Sequence, residues 1–398
     1  MAERLNYRTQ IIHDLSRLEH CGWDALLALA PQSGAVFLKS DFLAALQSSG
    51  SVDGESGWSP HFVTLTDTKG TMVAGAPLWI KTHSYGEYVF DWAWADAYHR
   101  HGLNYYPKGI VAVPFTPVPG PRLLARDADA RRALLRALGA EARALGLSSL
   151  HLLFPSLEDS VEDPPQDWLQ RHGVQFHWHN PGWQSFEDYL AALAQPKRKK
   201  IRAERRKVAQ AGVTVRMLAG EQIEPDHWAH FVRCYRTTYA LHHSTPYLSG
   251  SFFKTLASRM PEHLLMALAE REGEPVAAAL LFKDDNALYG RYWGALEAID
   301  SLHFEASYYA PIEWAIAHGI RRFEGGAQGE HKMARGFMPS PTRSFHQLAH
   351  PAFSDAVARF LERERGGIDA YLDELHERSP MRAASNSNDG SVDPDQPR

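Results

Sequence analysis

Glu324, Glu330, His331, Lys332 and Arg335 fall within one short glycine-rich stretch, Phe323-Glu-Gly-Gly-Ala-Gln-Gly-Glu-His-Lys-Met-Ala-Arg-Gly-Phe337. An imidazole beside carboxylates can move a proton, and two cations can steady a carboxylate or a developing oxyanion. These are the charge types that proton transfer and anion binding need. Unperturbed His titrates at about 6.5 and Glu at about 4.3, which makes His331 the better poised base. Glu330 or Glu324 would orient it or bind the substrate ammonium, and Gln328, Lys332 and Arg335 would bind substrate. Cys234 lies in a helix-like run and Cys21 precedes a glycine near the N-terminus, so neither completes a triad.

A charged glycine-rich loop is also what an ordinary turn looks like. Here Phe323, Met333, Phe337 and Met338 would anchor it to a core, and the loop follows a helix-like run (residues 305–318), a Gly319 stop and a short strand (320–323). Loops that follow strands are where open α/β folds keep their chemistry.

A second group of chemistry-bearing residues lies in an aromatic region, 85–106, where Asp91, Trp92, Asp96 and Tyr98 interleave acids with rings. Asp91 and Asp96 could recognise a cationic group or serve the structure. His242 and Tyr247, with Tyr292 and Trp293, read as walls of an acceptor site. The run Pro196-Lys-Arg-Lys-Lys-Ile-Arg-Ala-Glu-Arg-Arg-Lys-Val208 places Arg198, Arg202, Arg205 and Arg206 roughly on one side of a helix. Such a stripe either tracks phosphates or is simply a solvated basic face. His177-Trp178-His179 has the spacing of a strand, and no metal site is expected.

The 398 residues, with 44% hydrophobic and 22% charged side chains, suit a soluble globular protein of two or three domains. A net charge of -5 gives no global reason to expect a polyanion partner, so any such site must be local. Two cysteines fit a reducing cytoplasm, and neither a signal peptide nor a membrane span is expected.

The elements say nearly the same thing twice. His61-Phe-Val-Thr-Leu-Thr followed by Gly70-Thr-Met-Val-Ala-Gly-Ala-Pro-Leu matches His263-Leu-Leu-Met-Ala-Leu followed by Gly273-Glu-Pro-Val-Ala-Ala-Ala-Leu-Leu. Each strand pair is followed by an aromatic strand (89–94; 289–293), a helix (128–145; 305–318), a glycine stop and a final strand (150–154; 320–323). The expected organisation is an N-terminal domain (5–155), a linker or variable loop (156–180), a C-terminal domain (181–378) and a disordered tail (379–398).

Strand pair, aromatic strand, helix, strand is the order of the GNAT acyltransferase fold. The segments Phe90-Asp-Trp-Ala-Trp-Ala-Asp-Ala-Tyr98, Tyr105-Tyr-Pro-Lys108, Pro114-Phe-Thr-Pro-Val-Pro-Gly-Pro-Arg122 and Gly326-Ala-Gln-Gly-Glu-His-Lys332 resemble the bacterial FemAB-like family, labelled GNAT N-acetyltransferase or peptidoglycan biosynthesis protein. The likeness covers about residues 10–376. It implies an α+β (α/β) fold of tandem duplicated GNAT-like domains, each a mixed, largely antiparallel sheet flanked by helices, and an acyl or aminoacyl transferase acting on an amine of a peptide or peptidoglycan precursor. One departure bears on the donor. Where a coenzyme-A-binding GNAT carries its pyrophosphate loop, this chain has Pro117-Val-Pro-Gly-Pro-Arg-Leu123 and Leu296-Glu-Ala-Ile-Asp-Ser-Leu-His-Phe304. Prolines remove donor N–H groups and Glu297 with Asp300 would repel phosphate. The expected donor is therefore aminoacyl-tRNA rather than acetyl-CoA, with no tightly bound cofactor. An acetyl-CoA-dependent N-acetyltransferase and a non-catalytic RNA- or precursor-binding protein are the alternatives, and the oligomeric state is not legible.

Overall fold

A computed structural model describes residues 7–156, 167–326 and 329–382. The N-terminal half contains β1 (Arg8–Ile12), α1 (Trp23–Leu27), α2 (Ser40–Ser48), β2 (Trp58–Pro60), β3 (Phe62–Thr66), β4 (Met72–Ala76), β5 (Leu78–Lys81), α3 (Trp92–Arg100), β6 (Lys108–Val111), β7 (Leu124–Ala125), α4 (Ala128–Ala144) and β8 (Ser149–Leu153). After β9 (Leu169–His179) come α5 (Phe186–Ala192), α6 (Gln195–Gln210), β10 (Val213–Ala219), α7 (Pro225–Leu241), α8 (Gly250–Arg259), β11 (Leu264–Arg271), β12 (Glu274–Lys283) and β13 (Ala287–Ala295). A short helix α9 (Leu302–Phe304) passes through a π-turn (Glu305–Tyr309) into α10 (Ala310–Ala317), followed by β14 (Arg322–Glu324), β15 (Met338–Leu348) and α11 (Pro351–Glu377).

Both halves use one plan. In the C-terminal half, β10, β11, β12 and β13 form an antiparallel meander, and β14 then pairs parallel to β13. In the N-terminal half, β1, β3 and β4 are antiparallel, β5 leads to β6, and β8 pairs parallel to β6. Each parallel pair needs a crossover, supplied by α4 in one half and by α9 and α10 in the other. Pro77 interrupts what would be one long strand between β4 and β5. Proline cannot donate to a ladder, and here the sheet splits in two: β1-β3-β4-β7 forms one sheet, while β2, β5, β6 and β8 join an eleven-stranded one.

The halves exchange their last strands. β9 follows β8 in the chain but pairs with β14 of the other half, and β15 follows β14 but pairs with β8. The two exchanged strands pair with each other from Met338↔His177 to His346↔Leu169 at the centre of the large sheet. A common core reinforces the join: Phe37 of the N-terminal half packs against Phe282 and Tyr289 of the C-terminal half, with ring centroids 5.0 and 5.3 Å apart.

Several expectations are corrected here. Residues 169–179, read as part of a linker or variable loop, are a central strand, whose many polar side chains hide it from a search for apolar alternation. Residues 89–94 are not a strand: Trp92 is 42% exposed, and the buried pair Trp94 and Tyr98 has the four-residue spacing of helix α3. The strand in that place is β6, and residues 338–348 and 351–377, where no element is expected, form β15 and α11. The expected tail begins inside the fold: Ala194 N–H donates to Pro380 at 2.9 Å and Arg382 N–H to Ala192 at 2.9 Å, while residues beyond 382 lie outside the described residues.

Helix α7 crosses β13 at Gly294, where an added Cβ would lie 2.1 Å from the Cys234 carbonyl oxygen. Neither partner can yield, because both are backbone. Gly294→Ala is therefore expected to cost about 3 kcal/mol of unfolding free energy, read by chemical denaturation.

Candidate active site

β13 and β14 are paired only from Ala287↔Arg322 to Tyr289↔Glu324. Beyond that point β14 ends and β13 runs on beside β12 alone, so the sheet opens. A bulge widens the opening: Leu280 pairs with Tyr292 and Leu281 with Gly290, which leaves Arg291 as the extra residue. Bulges re-aim side chains, and Arg291 spans to the other half, donating to the Phe115 carbonyl at 2.5 Å. The gap holds a cavity of about 120 Å³ walled by Arg291, Tyr292, Trp293, His303, Ser307 and Tyr308, with Gly290 and Gly325 at the strand ends. The π-turn presents Ser307 and Tyr308 to it. The Ser307 hydroxyl and the Arg291 Nε are buried without a hydrogen-bond partner. Unspent polar groups in a cavity are what a polar ligand atom would satisfy.

The corresponding gap beyond β6 and β8 is closed. Gly120 bridges to Pro155, and its N–H donates to Phe154 at 3.1 Å. The buried Arg122 donates to the carbonyls of Leu153 (3.0 Å) and Val118 (2.7 Å). The proline-rich segment thus fills in one half the space that is open in the other.

Glu324 ends β14 one residue before the cavity wall. It is 3% exposed and lies 3.1 Å from Arg322 as an ion pair and 3.8 Å from His177, and its Oε2 has no hydrogen bond. Burial pushes its carboxyl up to about 7 against the pull of Arg322. Lys332 is buried, donates to the Gly326 carbonyl at 3.1 Å and has its stem beside Gly325; burial, then Arg291, brings its ammonium down to about 8. His331 is exposed, with its ring 6.4 Å from that of Tyr308, and burial, Lys332 and Arg335 lower its pKa. His303 stands 5.3 Å from Trp293 and 5.6 Å from Tyr308, and burial lowers it to about 4, so it is a neutral imidazole at physiological pH.

The remaining sequence-derived candidates divide. Tyr292 and Trp293 do line the cavity. Glu330 faces away: Tyr371 of α11 donates to it at 2.6 Å and Arg378 lies at 3.3 Å, with no hydrogen bond to His331. It latches the loop to α11 and is corrected as an orienting group for the imidazole. Arg335 is buried 3.1 Å from Glu204 with its guanidinium 3.5 Å from the Phe304 ring, so its charge is spent on holding the loop to α6. Gln328 lies outside the described residues.

Asp91 belongs to a buried network, not to a wet rim: Lys108 contacts Asp91, Glu87 (2.9 Å) and Ser84 (2.7 Å), and Tyr105 donates to Asp91 at 2.6 Å. Tyr98 is buried with its ring 4.0 Å from Phe353, whereas Asp96 is exposed with Arg100 at 3.0 Å and Trp92 packs 5.0 Å from Tyr85. None of these four meets the cavity. Asp91→Asn is expected to destabilise the fold by about 2 kcal/mol, because it leaves the buried Lys108 with Glu87 as its one carboxylate, without changing substrate KM; thermal melting beside kinetics checks this.

His242 is exposed past α7, and Tyr247 stacks 4.8 Å from Phe115. On α6, Arg205 meets Glu305 (3.0 Å) and Glu313 (2.8 Å) and Arg202 meets Glu187 (2.5 Å), which leaves Arg198 and Arg206 as the stripe's cations without an ion pair among the described residues. The sequence reading missed Arg291, His303 and Ser307. Arg291 did carry a signal, a charge flanked by Gly290 and Tyr292 inside an otherwise apolar strand. The π-turn that aims Ser307 has no periodicity to detect.

No curated protein matches the chain in sequence. Among solved structures, the C-terminal domain of a putative lysylphosphatidylglycerol synthetase from Agrobacterium fabrum superposes with a TM-score of 0.51 at 11% identity, covering 88% of this chain and 96% of that one. FemX superposes with a TM-score of 0.51 at 12% identity, covering 88% of this chain and 100% of that one. A tandem GNAT protein from the clavulanic acid biosynthesis pathway gives 0.45 at 13% identity, covering 87% and 99%. At these identities the likeness to the first two is one of fold. Residues 14–383 match the FemAB-like family, described as peptidoglycan biosynthesis/recognition, and the chain belongs to that family.

Proposed function

We propose that this protein transfers an acyl or aminoacyl group to an amine of a peptide or peptidoglycan precursor, in the gap between β13 and β14. The observation that carries this reading is the asymmetry of the two gaps: one is filled by its own prolines, and the other keeps a cavity walled by unspent polar groups beside a buried carboxyl poised near neutrality. The amine nitrogen attacks the donor carbonyl, a C–N bond forms, the C–O bond of an ester donor breaks, and the departing hydroxyl takes a proton. Glu324 accepts the proton that the amine loses, with His331, whose ring lies 6.4 Å from that of Tyr308, as the second titrating group. Arg291 and Lys332 supply positive charge for the carbonyl oxygen as it becomes an oxyanion.

Aminoacyl-tRNA is the donor this reading favours. Pro117, Pro119 and Pro121 deny one half a backbone cradle for pyrophosphate, and Lys197, Arg198, Lys199 and Arg206 of α6 are free of ion pairs among the described residues. The working compartment is then the cytoplasm. Among the described residues no helix is long and apolar enough to cross a membrane.

The test is to incubate purified protein with charged tRNA or with acetyl-CoA and a set of peptide and precursor amines, and to follow products by mass spectrometry. An acceptor heavier by one aminoacyl residue, dependent on charged tRNA, is the expected product. Acetylated acceptor would replace the donor assignment, and no product from either donor, with acceptor or RNA bound unchanged, would favour the binding protein.

A further inference from the structure

Helices α7 and α8 enclose a second concavity, of about 760 Å³, on the face of α7 turned away from the active-site gap. Its floor is apolar, with Ile223, Trp228, Val232, Phe253 and Ala257. Arg233 and Arg236 rise along one wall and Lys254 along the other, all three exposed, with Glu221 at one end. None of the three cations forms an ion pair among the described residues. In the same half Arg202, Arg205, Lys207, Arg216, Arg259 and Arg271 each meet a carboxylate, while Lys197, Arg198, Lys199 and Arg206, likewise without an ion pair among the described residues, lie on α6 and not at this groove. In a chain whose net charge is -5, an unpaired basic rim over an apolar floor is a local arrangement rather than a reflection of composition.

We infer that this groove receives an acidic amphipathic helix of a partner protein. The walls are helices whose backbone groups are internally bonded, so no free edge is offered to an added strand, and recognition must come from side chains. A helix with apolar residues at i, i+3 or i+4 and i+7 fills such a floor, and carboxylates on its two flanks meet Arg233 and Arg236 on one side and Lys254 on the other. Ala257, on the α8 wall, leaves room for a bulky apolar side chain. The site is separate from the transferase gap, because α7 lies between them with Cys234 against Gly294 of β13.

The experiment uses the full chain and a fluorescein-labelled model peptide of about 18 residues, with leucines on one helical face and glutamates on both flanks. Anisotropy is expected to show saturable binding that weakens with salt and weakens roughly tenfold or more in the Arg233→Glu/Arg236→Glu/Lys254→Glu variant. Ala257→Trp, which fills the floor without touching charge, is expected to weaken it as well, and unchanged melting curves exclude misfolding. Equal binding of a peptide with lysines in place of glutamates, unaltered binding by both variants, or absence of binding overturns the inference. Binding of anionic phosphatidylglycerol vesicles with the same dependence on the variants, in place of the peptide, would overturn it in favour of a lipid surface.

Discussion

Glu324→Gln is expected to lower kcat/KM for acyl transfer about a hundredfold and to remove the rising limb of its pH profile near pH 7. The limb follows from the carboxyl held at about 7 by burial: only the ionised form can take the amine proton, so activity climbs as it deprotonates. His331→Ala is expected to reduce activity while leaving that limb in place, because the exposed imidazole titrates lower. Stability separates a catalytic from a structural role. A carboxyl whose pKa is raised in the folded state keeps its proton between about pH 4.5 and 7 while the unfolded chain has released its own. Its contribution to stability is present at low pH and is lost as pH rises through that window, reaching about 3 kcal/mol of destabilisation above pH 7. At pH 8 the Gln variant, free of the buried charge, is therefore not expected to melt below the wild type. A pH limb that survives in Glu324→Gln would remove Glu324 from the mechanism.

Legibility in the sequence followed local order. The residues 225–241 and the hairpin of β11 and β12 carry their own periodicity, cap and turn, and the structure has them where the pattern puts them. The repeat of elements rests in part on such segments, whereas the FemAB-like likeness rests on residues 90–98, 105–108, 114–122 and 326–332. What escaped depends on partners distant in the chain. β9 is too polar to be recognised alone, and it is a strand because β14 and β15 satisfy it on both sides. Glu330 and His331 are sequence neighbours, but the short helical turn that holds them sends one to α11 and the other toward Tyr308. The bulge at Arg291 exists only as a mismatch between two strands, and neither strand contains it by itself.

The exchange of last strands makes a stronger demand than the duplication does. If the elements up to β8 and those from β9 onward were each self-sufficient, a break in the chain between β8 and β9 would leave two folded pieces. In the observed pairing, a fragment ending before β9 keeps β1 to β8 but has no β15, so β8 loses the neighbour that pairs with it from Ser149 to Leu153. It also loses Phe282 and Tyr289, on which Phe37 rests. An open central edge with apolar surface on its faces aggregates rather than persisting in solution. The fragment of residues 1–160 alone is therefore expected to be insoluble or unfolded by circular dichroism. Co-expressed with residues 161–398, it is expected to co-purify as a one-to-one complex with the secondary structure and activity of the intact chain, because β15 is then supplied in trans. A soluble, cooperatively melting fragment 1–160 would mean that the halves fold first and trade strands afterwards; an insoluble fragment rescued by its partner means that the exchange is part of how each half becomes stable, and that the gap between β13 and β14 is held open by a frame to which both halves contribute.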